Sequence, residues 1–221
     1  MTEHSLWVFV HVLLLVYWLG ADLGVLLLAR AAKRPELSFA ERAFALKMAV
    51  TIDLTPRLCF ALMLPVGLHV TDSGGFAEVP AALLFAAWIV ALAWIALLFA
   101  IGRNEGKPAA AALGRANLAL QAVLLLAVGA VAVASLLGAG PLQPGWFPVK
   151  LLAFAAIFAC SIGIDFAFHP IVPAFVRLAT EGSKPEIEHT IGAAVDGAIR
   201  WVLALYALLV LIAFLGIVKP F

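Results

Sequence analysis

The sequence predicts an all-α integral membrane protein: one domain over residues 1–221, folded as a bundle of six transmembrane helices. Three observations carry that prediction. Hydrophobic residues make up 65% of the chain and charged residues only 12%, against roughly 45–50% and 25% in a soluble domain. Mean hydropathy is +1.12. The apolar residues are also gathered into six runs, each of about 20 residues or more, the length that crosses a hydrocarbon core about 30 Å thick. A net charge of +1 offers no basic surface for nucleic acid.

In chain order the runs cover about 6–29, 44–70, 79–101, 112–138, 149–176 and 190–217. Turn-forming residues separate them: Pro35, Ser73-Gly74-Gly75, Gly106-Lys107-Pro108, Gly140-Pro141 with Pro144-Gly145, and Gly182-Ser183-Lys184-Pro185. Glu3 stands where a signal peptide would carry basic residues, and the first run is too long for a signal core, so it is read as a retained span. Lys and Arg fall in alternate loops: Arg30, Lys33, Arg34, Arg42 and Lys47 after the first span, Arg103, Lys107 and Arg115 after the third, Arg177 and Lys184 after the fifth. The positive-inside rule puts these loops in the cytoplasm and both termini on the other side.

Charges within hydrocarbon cost roughly 2.5–3.5 kcal/mol each on insertion scales, so each one asks for a reason. At 100° per residue, Trp7, His11, Trp18 and Asp22 of the first span fall within about 60° of arc and define its inward face. The second span sets Asp53 and Arg57 one turn apart, within ion-pair reach, carries His69 near its outer end, and is expected to be interrupted at Pro56 and Pro65. The third has no ionisable side chain, only Trp88 and Trp94, and is expected to face lipid. The fourth carries Asn117, Gln121 and Ser135 on one face. The fifth groups Lys150, Ser161, Asp165 and His169 within about 100° of arc. The sixth repeats an aspartate–arginine pair at Asp196 and Arg200. Asp22, Asp53, Arg57, Asp165, His169, Asp196 and Arg200 are therefore expected to form an inward charge cluster in the cytoplasmic half, with Trp7, His11, His69 and Lys150 in the outer half. Cys59 and Cys160 lie in apolar runs and read as small core residues.

Some of these residues resemble known families. His11-(x6)-Trp18-x-Gly20 is similar to the opening helix of CopD-like copper-resistance membrane proteins. With a one-residue shift at the glycine it also resembles that of HemJ-type protoporphyrinogen oxidases. Thr55-Pro56 and Pro65-x-Gly67 resemble the second-helix pattern of the latter. Trp146-(x3)-Lys150-Leu151-Leu152 resembles a later helix of both. The resemblance implies a small helical bundle of the bacterial inner membrane. It implies haem b tied to His11 on the HemJ side and copper movement on the CopD side. The supply of soft sulfur for copper is thin, only Met1, Met48 and Met63.

The function expected first is a haem-b-binding membrane protein with a redox or electron-transfer role, either a membrane oxidoreductase or an electron carrier. Haem needs axial ligands, usually histidine, an apolar slot and cations for its propionates. His11 and His69 are the expected iron ligands, with Lys150 for a propionate and Trp7, Trp18 and Trp146 lining the slot. Its partners would be a quinone, a porphyrin or a redox protein. The alternatives are a proton- or cation-coupled transporter built on the aspartates and His169, or a non-catalytic subunit of a membrane complex. P-loop, GxGxxG, GxSxG, HExxH and CxxC patterns are all absent from the sequence, which leaves nucleotide-driven and standard hydrolytic chemistry without a basis.

Overall fold

The computed structural model describes residues 2–143 and 145–220. Among them are seven helices and no strand: α1 (Glu3–Ala32), α2 (Phe39–Ser73), α3 (Ala81–Arg103), α4 (Ala109–Leu136), α5 (Trp146–Phe168), α6 (Ile171–Glu181) and α7 (Pro185–Val218). Six stretches are long and apolar enough to cross a membrane, the fifth of them being α5 and α6 together, Trp146–Glu181. The chain is that of a multi-pass helical membrane protein.

The helices run further than the apolar runs because polar caps extend them. Ser38 and Glu41 form a reciprocal capping box before α2: the Ser38 N–H donates to Glu41 Oε2 at 2.8 Å, and the Glu41 N–H donates to Ser38 Oγ at 3.4 Å. This start lies several residues before the apolar run. The α7 helix begins with Pro185, a residue preorganised for a first turn, and α6 ends at Gly182, whose φ of 77° is the left-handed conformation glycine adopts freely.

The two prolines of the second span behave differently from expectation. Helix α2 continues through both Pro56 and Pro65. The fifth span instead breaks at His169-Pro170: α5 stops at Phe168 and α6 starts afresh at Ile171. Pro170 and Pro173 remove two donors within four residues, and the helix restarts at Ile171, which places Pro173 within the first turn of α6, where its missing N–H costs nothing. The new helix is amphipathic, with Ile171, Ala174, Phe175 and Leu178 buried and Val172, Val176 and Arg177 exposed.

The residues group into two compact units, Met1–Asp22 with Leu54–Val123, and Leu23–Asp53 with Leu124–Phe221. In the first unit α1 and α2 pair antiparallel. The register reads from His4 beside Ser73, through Trp7 on His69, to Trp18 against Phe60 at 4.9 Å between ring centroids. Phe60 in turn meets Trp94 edge-on at 5.2 Å, and Trp94 Nε1 donates to Asn117 Oδ1 at 2.9 Å, joining α3 to α4. Helix α3 buries Ala87, Ala91, Trp94 and Leu98, one stripe at helical spacing, and leaves Phe85, Ile89, Leu92 and Phe99 exposed on its other faces.

In the second unit α5 packs along α7. A Cβ at Gly163 would stand 2.5 Å from the Trp201 indole, and one at Gly197 would stand 3.3 Å from the Ala167 methyl. The missing side chain at Gly163 lets a rigid ring lie directly on the α5 backbone. Gly163→Ala should therefore cost about 1–3 kcal/mol by overpacking, read as a lower unfolding midpoint in detergent. An unchanged midpoint would mean that the indole moves aside without loss. A second apolar cluster of Ala29, Ala32, Ala45, Ile171, Phe175, Leu178, Ile187, Ile191 and Val195 closes the other end of this unit.

Candidate functional site

The first unit contains a layered histidine–tryptophan site. Trp7 lies on His69 with the rings 3.9 Å apart and only 6° from parallel. Trp88 Nε1 donates to His69 Nε2 at 3.0 Å. An indole can only donate, so His69 Nε2 is the acceptor and the ring proton sits on Nδ1. One turn further along α2, Ser73 Oγ donates to the His69 carbonyl at 2.6 Å and accepts from His4 Nδ1 at 3.1 Å. Trp88 and His4 join this candidate site, and span-by-span reading missed both. Trp88 sits in an apolar run without ionisable groups, so nothing in its own surroundings marked it.

One turn deeper, His11 lies against Gly67. Its Cε1 and Nδ1 atoms would be 3.5 and 3.9 Å from a Cβ there, so a bare backbone faces the ring. Nδ1 is buried, and of the two nitrogens it is the one near α2. Two turns further, Trp18 and Asp22 are 2% and 7% exposed, on the same face of α1 as Trp7 and His11.

A haem iron asks for an imidazole nitrogen that points away from its own packing surface, with the other nitrogen held by the protein. His11, packed on Gly67 by Cε1 and Nδ1, is the candidate for ligation through Nε2. His69 is not: its Nε2 is engaged by Trp88, and rings already in contact at 3.9 Å admit no third ring between Trp7 and His69. The residues fit one histidine ligand from this pair, not two. Among the described residues no group of three or more His, Cys, Asp and Glu side chains converges in a way that could hold a metal ion.

The second unit carries Lys150, and its charged residues form a network different from the expected one. Asp196 pairs with Lys33, beyond the end of α1, and its side chain is 58% exposed; Arg200 is exposed as well. The expectation that both point inward is corrected. The physical reason is length: 34 residues of α7 span about 51 Å, well beyond the hydrocarbon, so the first turns reach the level of the basic loop. Asp53, Arg57 and Asp165 are half-buried and His169 is exposed. His169 joins Pro170, Pro173, Ala174, Arg177, Ile187 and Thr190 around a cleft of about 220 Å³ at the α5–α6 break.

A bidentate, buried ionic contact involves two residues outside the expected cluster. Arg42 is 2% exposed. Its NH1 and NH2 donate to both Glu188 oxygens at 2.8 Å, its Nε donates to the Ala32 carbonyl at 2.9 Å, and its guanidinium lies 5.7 Å from the Phe175 ring centroid. Ser183 Oγ donates to Glu188 at 2.8 Å. One guanidinium thus ties together the ends of α1, α2, α6 and α7. The Arg42 hydrogen bonds hold the Glu188 carboxyl below the usual carboxylate range.

No protein-family model matches this chain, and no curated protein or solved structure matches it.

Proposed function

We propose that this chain is a haem-b-binding protein of the bacterial inner membrane with a redox or electron-transfer role, in which His11 is the axial ligand. The observation that carries the reading is the setting of His11. Its ring rests by Cε1 and Nδ1 on the bare backbone of Gly67, between Trp7 and Trp18 on one helix face, and ligation would use Nε2, the nitrogen not set against that glycine. Bound haem would supply one-electron chemistry that no side chain here provides. The role of the protein residues is to seat the imidazole against Gly67, to exclude water with the tryptophans, and to hold the His69 ring in place through Trp88. The resemblance of the first, second and fifth spans to CopD-like and HemJ-type proteins supports the same reading. Protein purified from haem-replete membranes should show a Soret band and haem b near one-to-one with the chain. A colourless product would overturn the proposal.

The orientation proposed with it places both termini outside the cytoplasm, since the basic loops alternate without exception. Alkaline phosphatase fused after Phe221 should be active in intact cells, and green fluorescent protein at the same point should be dark. The opposite pattern would reverse the topology.

The broken fifth span favours a second reading. Asp165 lies one turn before the His169-Pro170 break and its cleft, the kind of helix interruption that transporters use for ion sites. Proton flux into vesicles that stops with Asp165→Asn, from a colourless protein, would select that reading.

A further inference from the structure

We propose that the cleft at the α5–α6 break binds the headgroup of a lipid-soluble quinone, with His169 and Arg177 donating to its carbonyl oxygens. The cleft is built from α5, α6 and α7, all of the second unit, and offers about 220 Å³. An apolar cavity of roughly 150 Å³ takes benzene, so the space suits one substituted six-membered ring. Pro173, Ala174 and Ile187 form its apolar wall, and among the described residues no carboxylate side chain lines it. Its depth is set by α5, whose 23 residues cover about 34 Å, slightly more than a hydrocarbon core of about 30 Å. Trp146 opens that helix, a residue type that settles at a bilayer edge. The break at His169-Pro170 therefore falls at the opposite edge. There α6 exposes Val172 and Val176 beside its buried stripe, an apolar surface along which an alkyl tail can run back into the hydrocarbon.

The polar groups at the rim select the chemistry. Arg177 donates through Nε and Nη2 to Glu181 at 2.8 and 3.3 Å. Lys184 reaches the same carboxylate at 2.9 Å, and Glu186 lies near enough to act on Arg177. Two cations and two carboxylates gather here, so the rim is balanced and calls for no anion. What it offers is an oriented donor, Arg177 Nη1, which the pairing with Glu181 leaves unused. Among the described residues no side chain engages the exposed His169 ring, so that ring is the second donor. Thr190 gives its hydroxyl proton to the Glu186 carbonyl at 2.8 Å, and toward the cleft it can only accept. A neutral ring with two carbonyl oxygens matches two donors beside an apolar wall. An anionic phospholipid headgroup matches neither the balanced rim nor the volume. The quinone would be the electron partner of the haem protein proposed above, and to that extent the inference rests on that reading.

The test is native mass spectrometry of the full chain in mild detergent, titrated with a decyl-substituted benzoquinone, with decylbenzene, which lacks the carbonyls, and with phosphatidylglycerol. Wild type should bind the quinone at least about tenfold more tightly than decylbenzene, the contribution of two hydrogen bonds, one of them from a cation. His169→Phe with Arg177→Met should remove that preference; both side chains are exposed, so the double variant keeps the core intact. His11→Ala should bind the quinone as wild type does. A colourless protein that still binds it would therefore remove the haem proposal alone, and a haem-loaded protein that does not would remove this one alone. Equal affinity for quinone and decylbenzene, or an unchanged preference in the double variant, would overturn the proposal. Phosphatidylglycerol displacing the quinone at equal concentration would give the cleft to a lipid headgroup and overturn it as well.

Discussion

Glu188→Ala should lower the stability of the protein by about 3–5 kcal/mol, the cost of stranding one partner of a buried ion pair. For a chain of this size that is on the order of 10 °C in unfolding midpoint. The substitution leaves the Arg42 charge 2% exposed, with the Ala32 carbonyl and the Phe175 ring as its remaining neighbours. Replacing both partners with apolar residues, Arg42→Met with Glu188→Leu, should cost less than either single change, because no charge is then left buried. The pH dependence follows from the same contact. Glu188 is depressed by Arg42, so its contribution is present above the ordinary carboxylate value near 4.3 and is lost as pH falls through the lower folded value. Acid unfolding of Glu188→Gln should accordingly begin from a lower plateau and fall less steeply below about pH 4. Calorimetry or thermal melts in detergent across pH 2–7 would check both statements. Equal slopes in wild type and variant would contradict them.

His11→Ala should cost haem occupancy by at least about tenfold, since even an outer partner of a metal ligand carries that much. His69→Phe should keep haem and leave the Soret position unchanged. This is the reverse of what two histidines on neighbouring spans suggest at first reading, and it follows from Trp88. With Nε2 accepting the indole N–H at 3.0 Å and Trp7 stacked on the ring face, His69 is consumed by the first unit's own packing. Trp88→Phe frees that nitrogen, so a shift toward a six-coordinate spectrum in that variant, and not in wild type, is the expected result. A wild-type spectrum already six-coordinate and lost in His69→Phe would show that His69 ligates after all.

Hydropathy alone located the six membrane-crossing stretches, because a run of some twenty apolar residues has few other uses. It could not locate their ends. Those depend on Ser38 and Glu41 capping α2, on Pro185 opening α7, and on Pro170 stopping α5 while Pro56 and Pro65 leave α2 continuous. Helical spacing groups Trp7, His11, Trp18 and Asp22 within one span, since that geometry is local. Pairings between spans are not local. Asp196 looked like a partner for Arg200 one turn away, yet it meets Lys33, 163 positions distant. Arg42 counted as one more loop cation, and only the fold brings Glu188 to it across 146 positions. The sequence offers Lys150 as a cation without naming its neighbours, and the fold sets it against Gly216 of α7.

The measurement that bears most directly on the haem proposal is the absorption spectrum of His11→Gly with and without added imidazole. The glycine leaves a space the size of the lost ring against Gly67. If His11 Nε2 holds the iron, the variant should lose the wild-type Soret band and regain its position and intensity when imidazole is added at millimolar concentration. A His11→Gly protein that keeps the full wild-type band without imidazole would contradict the account and move the ligand elsewhere in the chain.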